Sequence, residues 1–574
     1  MSSLPYSYHT FIFPFVWNNG GTTSLDDFNQ CIDEEYWKPC DWEDGKIPPY
    51  RGKNEDDDIN KRARDKFFTD YQAYQYFMPN ARNLLYHCDA TEPVVNNYDF
   101  TIKGEPLVIE SSEGKCESNA KYIITKRSED NNIWHLTKYT LQINAIRMRI
   151  FNSGVGVLKL ETEFHGDKES DGKIVDYTKT GTTERVFDFN AINEYGRRIN
   201  LPYIGDMKAG QEYPDHALVA DSVEVWLRGC DTNLTENFTK TIIRMNSVEN
   251  PFKMDKTLSL TYIGKHIKNL IDIGNGRGVT SKRDGNTGDD IYIYPIIDDR
   301  MYVCAMMRNN VISRIIQKKD RSGNDYKIYS DNKLSQIIYK LGFIENDCSC
   351  QSSVMRHDIL KRCVYDRWID WGTIDIITHH STVRITGEAD YIVASVINPF
   401  LLQYIQMAEI ALVQRATILA LFDRIDNATA GISKKSIDES AYRKIREIQR
   451  DYVKAQNQIF LGDVTVQEQG VEEFRMMLDE LYLDRTTQEL DEQIKDAFAL
   501  ATDYVDRSTN KRLNFITVVG AFFAVVTIIF DFITGLTSEA KPVFIIVAGL
   551  AGIVGVSAYV GYLLKKRKDL KKWS

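Results

Sequence analysis

Leu513–Phe530 reads LNFITVVGAFFAVVTIIF, eighteen residues without a charge, and Val543–Leu564 reads VFIIVAGLAGIVGVSAYVGYLL, twenty-two more. A helix needs about 20 apolar residues to cross the hydrocarbon core of a bilayer, so both stretches are expected to span a membrane. Asp531–Pro542 lies between them and is long enough only for a turn outside it. Lys511-Arg512 precede the first stretch, and Lys565-Lys566-Arg567-Lys568 with Lys571-Lys572 follow the second; the connecting turn holds one cation, Lys541, beside Glu539. Cations flanking spans stay on the cytoplasmic side, so both termini are expected in the cytoplasm. Met1-Ser2-Ser3-Leu4-Pro5 has neither a basic start nor an apolar core, so no secretory signal is expected.

The 574 residues are 43% hydrophobic and 26% charged, with a formal net charge of −10. That is globular composition with a membrane tail. Because the tail is basic, the rest is more acidic still, which argues against a direct nucleic-acid partner and makes anionic lipid headgroups the natural partner of the tail. All nine cysteines precede the spans and are scattered, a pattern that a reducing compartment explains without disulfides. Cys348, Cys350, His357 and Cys363 have ligand types that suit zinc, but their spacing matches none of the paired CxxC patterns, and unpaired structural cysteines account for them equally.

Residues 1–385 read as a mixed α/β unit of one or two subdomains, a break falling near 245–260. Strands are predicted at Phe11–Trp17, Tyr139–Phe151, Val155–Phe164, Val223–Leu227, Ile291–Ile297 and Tyr302–Met307, with Asn152-Ser153-Gly154 as a hairpin turn. Helices are predicted at Asn60–Phe77 and Asn332–Leu341. Glu43–Asp58 and Gly274–Asp290 read as loops. The second is glycine-rich enough to cradle an anion but lacks the GxxxxGK[ST] pattern. Glu55-Asp56-Asp57-Asp58 suits either a divalent ion or a solvated charge run.

Residues 386–512 change to helical periodicity and read as a stalk. Pro399 sits near one helix start; Phe400–Arg424, Ser436–Leu461 and Val471–Tyr482 follow, with a break at Asp426–Ser436. Leu490, Ile494, Ala497, Ala501 and Tyr504 then step like a heptad seam. No Pro or Gly intervenes before Gly520, so one helix is expected to run into the first span, either to transmit movement or to serve as a rigid spacer.

The first span has two faces. Asn514, Thr517, Ala521, Ala524, Ile528, Asp531 and Gly535 form a stripe that is small or polar except for Ile528, whereas Phe515, Val518, Phe522, Val525, Ile529 and Phe532 are large and apolar. A polar stripe gains nothing against lipid but suits a pore or a helix interface. Asp531, repeated around a ring, would favour cations; alternatively it marks the outer end of the span. Gly549, Gly552, Gly555 and Gly561 let the second span (the two spans together covering 513–564, with 565–574 as a basic tail) approach the first closely.

This layout resembles the CorA superfamily of divalent-cation transporters: a large cytosolic domain, a stalk helix, two terminal spans and a basic tail. The fold class expected is therefore an α+β cytosolic domain followed by long stalk helices and a two-helix C-terminal transmembrane hairpin. The superfamily's Gly-Met-Asn signature is absent; Asp531-Phe532-Ile533-Thr534-Gly535-Leu536 stands in its place. Ile150–Leu158, Ile192–Ile199, Trp368–Thr373 and Thr378–Ser381 resemble, more narrowly, the CorA-like membrane effectors associated with type III CRISPR systems. That resemblance implies a homopentamer in the bacterial inner membrane, multi-pass, whose cytosolic domain binds a small nucleotide second messenger of the S-adenosylmethionine–AMP type and whose response opens a pore or perturbs the membrane in antiviral defence. It implies no bound cofactor apart from a divalent cation. On this reading Arg197 and Arg198 meet phosphate, Trp368 and Trp371 stack adenine, and Thr378, His379 and Ser381 offer polar contacts. Each has an ordinary alternative: a salt bridge, a core WxxW, a satisfied histidine. A CorA-type magnesium transporter and a membrane-anchored enzyme are the competing functions. No nucleophile–base motif, P-loop or HExxH supports the enzyme.

Overall fold

The computed structural model describes residues 4–19, 25–29, 32–39, 71–86, 94–100, 120–130, 133–166, 168–170, 173–174, 182–200, 219–230, 232–239, 263–273, 279–280, 291–298, 300–320, 323, 325–388, 392–430 and 439–534. The chain divides into two units. One comprises Met1–Asn427 with Glu447–Ile494, the other Ala428–Arg446 with Lys495–Ser574.

In the first unit the described strands join into one sixteen-stranded sheet. Its spine is Ser7–Asn19, flanked antiparallel by Val155–Phe164 on one side and Tyr302–Arg308 on the other. Beyond Val155–Phe164 lie Ile133–Phe151, Ala120–Asp130 and Ser222–Leu227. Beyond Tyr302–Arg308 comes Ser381–Thr386, which is parallel to it, then Ile374–Ile377. The hairpin of Ile133–Phe151 and Val155–Phe164 turns at Asn152-Ser153-Gly154, where Gly154 takes φ 83°, a left-handed value that glycine adopts without Cβ strain.

Both faces of the spine are buried. Phe11, Phe13, Phe15 and Trp17 alternate onto one face, each at most 1% exposed. His9 shares that face and its Nδ1 lies 2.6 Å from Asn193 Oδ1 on helix Thr182–Gly196, which therefore covers it. Ile12 and its cross-strand partner Lys159 point the other way. There Lys159 Nζ and Arg149 Nη1 reach Glu409 at 3.2 and 2.5 Å, pinning helix Ile405–Thr429 to the sheet. Burying one carboxylate among two cations keeps its pKa low despite the loss of water, because the paired cations favour the charged form. The result is a helix–sheet–helix sandwich.

Val393–Thr429 is long and apolar enough to cross a membrane by length and composition, but 83% of its most apolar window is buried inside the unit. Its apolar character serves this core. The helix begins at Ile392, before Pro399, and carries π-helical turns at Val393–Ile397 and Phe400–Tyr404. Proline has no N–H and clashes with the preceding turn; the widened turns on either side accommodate it.

In the second unit the described residues are helical. The helix Leu483–Thr534 is continuous through the apolar segment, as the absence of Pro and Gly before Gly520 predicts. Leu490 and Ile494, belonging to the first unit, are buried, and so are Ala497 and Ala501 in the second. Within the helix Leu513–Val525 is an apolar stretch shorter than a full span. Val543–Leu564, the connecting turn, the basic tail, Gly535 and most of the Glu43–Asp58 and Gly274–Asp290 loops lie outside the described residues. What the fold establishes is a mixed α/β unit with a large sheet and many helices.

Candidate functional site

Helix Thr182–Gly196 ends against the sheet, and the chain immediately after it carries Arg197 and Arg198. Met301 N donates to Arg197 O at 2.7 Å, and Arg198 pairs with Arg300 across an isolated antiparallel bridge. This short pairing brings the arginine pair beside Asp298 and Arg300. Both Arg197 and Arg198 are buried, at 2% and 4% exposure. Each donates through Nη2 to Glu194, Arg197 to Oε2 and Arg198 to Oε1 at 2.5 Å. Arg197 Nη2 also reaches Ile344 O at 3.3 Å. Burial, only partly offset by Glu194 and aggravated by Arg300 and Arg198, pulls the Arg197 pKa down to about 10. The guanidinium stays charged at neutral pH all the same.

The turn Thr378–Ser381 joins two strands on the neighbouring part of the sheet. Thr378 and Ser381 are buried; their hydroxyls lie 2.9 Å apart and both donate to Gly342 O. Helix Asn332–Phe343 can approach this turn because residue 342 is glycine: a Cβ there would collide with Ile376. His380 is half-buried. Its pKa falls to about 4, first through burial and then through the positive charges of Arg300 and Arg197, so its ring is neutral at pH 7. Arg300 is held by Asp298 Oδ2 through Nη2 at 2.6 Å and Nε at 2.7 Å. His379 turns the other way, placing Nδ1 2.6 Å from Glu480 O and its ring against Tyr482.

The structure thus brings Arg197, Arg198, Thr378, His379 and Ser381 into one neighbourhood. Trp368 and Trp371 sit elsewhere. They precede the strand Ile374–Ile377, whereas the turn follows it, and four extended residues separate the two places by about 13 Å. The two indoles are 6.1 Å apart and tilted by 45°; Arg367 lies over Trp368, and Trp371 is 62% exposed. Of the cysteine–histidine set, Cys363 faces the core, His357 Nε2 lies 3.2 Å from Ser335 Oγ, and Cys350 Sγ donates to Ser352 O. No group of three or more His, Cys, Asp or Glu placed to hold a metal occurs among the described residues.

Sequence reasoning did not pick out Glu194, Asp298, Arg300 or His380. Glu194 was legible in principle, because residues three and four positions later share its helical face and these are Arg197 and Arg198. Arg300 had no such signal, since a single bridge of backbone pairing delivers it.

On the first span, the described side chains of Asn514, Thr517, Ala521, Ala524 and Ile528 are exposed, as are Phe515, Val518 and Val525 on the opposite face. Asp531 lies within the helix.

Comparisons with models of protein families, with curated proteins and with solved structures find no match to this chain.

Proposed function

We propose that this chain is a membrane effector gated by a nucleotide second messenger, of which an S-adenosylmethionine–AMP conjugate is the favoured type. Binding in the α/β unit opens a pore or perturbs the inner membrane, through a homo-oligomer that is most simply a pentamer with both termini in the cytoplasm. The observation that carries this reading is the helix Leu483–Thr534. It starts within the first unit and continues without a break through Leu513–Phe530. Phe515, Ile516, Phe523, Val525 and Ile528 are each more than half exposed along it. So many large apolar side chains on one helix call for lipid or further copies of the chain. A single two-span hairpin encloses no path, whereas a ring does. The neighbourhood of Arg197, with its buried positive charge and polar turn, supports recognition of a phosphate-bearing ligand.

The test is ion flux from liposomes that contain the full-length protein. The S-adenosylmethionine–AMP conjugate, AMP and S-adenosylmethionine are added separately. Flux that appears only with a nucleotide supports the reading. Flux driven by a magnesium gradient alone, indifferent to every nucleotide, would instead identify a transporter of the CorA type.

A further inference from the structure

Arg197 is the most conspicuous buried cation whose donors are not all used. Its Nη2 is engaged by Glu194 and Ile344 O, but its Nε and Nη1 are buried and have no hydrogen-bond partner among the described residues. The only carboxylate that Arg197 contacts is Glu194, which Arg198 also claims. An unsatisfied donor on a buried, always-charged group is costly, and native structures keep such groups where water or a ligand completes them. Arg300 and His380 flank this guanidinium. Their side chains are 25% and 35% exposed, so the pocket wall is open to solvent on their side. Both supply N–H donors, and His380, being neutral, donates from one nitrogen only.

We propose that Arg197, with Arg300 and His380 beside it, forms an oxyanion-binding subsite that takes phosphate or the phosphate of a nucleotide on the unused Arg197 donors. Arg198 serves as the companion that fixes Glu194 and thereby holds Arg197 in place. The inference deepens the nucleotide reading, and rests on it only for the identity of the molecule that carries the phosphate.

The experiment uses full-length protein in a mild detergent. Inorganic phosphate, AMP and adenosine are titrated by calorimetry against chloride at matched ionic strength. Phosphate and AMP are expected to bind and adenosine to bind far more weakly. Arg197→Lys, which keeps one charge but loses the planar donors, and Arg300→Gln are each expected to weaken AMP by roughly tenfold or more. Arg314→Gln, exposed on another helix, should leave binding unchanged. Because Arg197 is buried, its variant is checked by thermal melting, and Arg300→Gln carries the test should Arg197→Lys fail to fold. The subsite is overturned if neither phosphate nor AMP binds the wild type, or if Arg300→Gln and a folded Arg197→Lys bind AMP as the wild type does. In the latter case the nucleotide reading survives without this subsite. Phosphate binding that depends on Arg197 and Arg300, with no nucleotide affecting flux, sustains the subsite and removes the gating function.

Discussion

His379 Nδ1 lies 2.6 Å from the carbonyl oxygen of Glu480, the last residue of helix Glu468–Glu480. Two residues on, Tyr482 holds a left-handed backbone (φ 53°) with its ring 5.4 Å from that of His379, and Leu483 begins the long helix. The turn that presents His380 to Arg197 is therefore fastened, through its other histidine, to the joint from which the long helix starts. A left-handed conformation costs a residue such as tyrosine about 1–2 kcal/mol, and the surrounding contacts must hold it.

The joint can be tested directly. Tyr482→Asn, which accepts the left-handed region more readily, is expected to retain stability. Tyr482→Val should lose about 1–2 kcal/mol, because a β-branched side chain resists that conformation. His379→Ala should cost about 1 kcal/mol by chemical denaturation and, in liposomes, should leave ligand binding intact while reducing the flux it elicits. Equal flux in His379→Ala and wild type would show that the joint carries no signal.

Much of this arrangement was legible in the sequence, and the reasons for the remainder are physical. Tyr139–Phe151, Val155–Phe164 and Tyr302–Met307 declared themselves as strands because alternation and β-branched residues write a local signal; the structure extends them by a few residues. The seam at Leu490, Ile494, Ala497 and Ala501 was visible by the same logic and is buried. Ala120–Asp130, with Lys121, Lys126 and Arg127 interleaved, gave a weaker pattern and was not singled out; its place is fixed by pairing with strands distant in sequence. Phe400–Arg424 gave the right element but an ambiguous setting, since a helix buried between a sheet and other helices has the composition of a membrane span. The candidate ligand residues divide similarly: Arg197 and the 378–381 turn meet because sheet pairing joins them, whereas Trp368 and Trp371, close to the turn in sequence, are carried away by one strand length.

Arg384 offers a second test, of charge in the core. Its guanidinium donates to both oxygens of Asp375, at 2.6 and 2.7 Å, and lies over the rings of Phe400 and Tyr404. Glu473 is fully buried beside this pair, 3.4 Å from Arg384 Nη2, with its Oε2 unpartnered. Burial first, and then the charge of Asp375, raise the Glu473 pKa well above 4.5, since Arg384 is already neutralised. A carboxyl whose pKa is raised on folding contributes its stability below the unfolded value near 4.5, and that contribution is lost as pH rises from there through the folded value. Glu473→Gln is thus expected to be at least as stable as wild type at pH 7, with an advantage that shrinks toward pH 4.5. Asp375→Asn should be strongly destabilising, by about 3–5 kcal/mol, because it strips a buried arginine of its bidentate partner. Melting curves of both variants across pH 4.5–7 check this; a Glu473→Gln protein markedly less stable at pH 7 would mean that Glu473 is ionised there.

Asp531 bears on the output. The helix Leu483–Thr534 carries it one turn beyond Ile528 on the same stripe as Asn514, Thr517, Ala521 and Ala524. If that stripe lines a cation path in an assembled ring, each subunit contributes one carboxylate near the end of the span, and the ring's field concentrates cations there. Asp531→Asn then removes the field while nearly preserving side-chain volume, so nucleotide-activated cation flux should fall and assembly should not. Asp531→Glu, which restores the charge, should recover most of the flux. The two variants separate charge from shape, because a boundary residue that merely reaches headgroup water tolerates both. Phe532→Asn provides the contrasting control: an amide on the apolar face meets lipid or a neighbouring helix without a partner, so it should impair insertion or assembly rather than selectivity. The measurement is flux in liposomes at matched protein density, with oligomeric state read by native mass spectrometry. Unchanged flux in a correctly assembled, nucleotide-activated Asp531→Asn protein would move the output away from a pore and toward disruption of the bilayer.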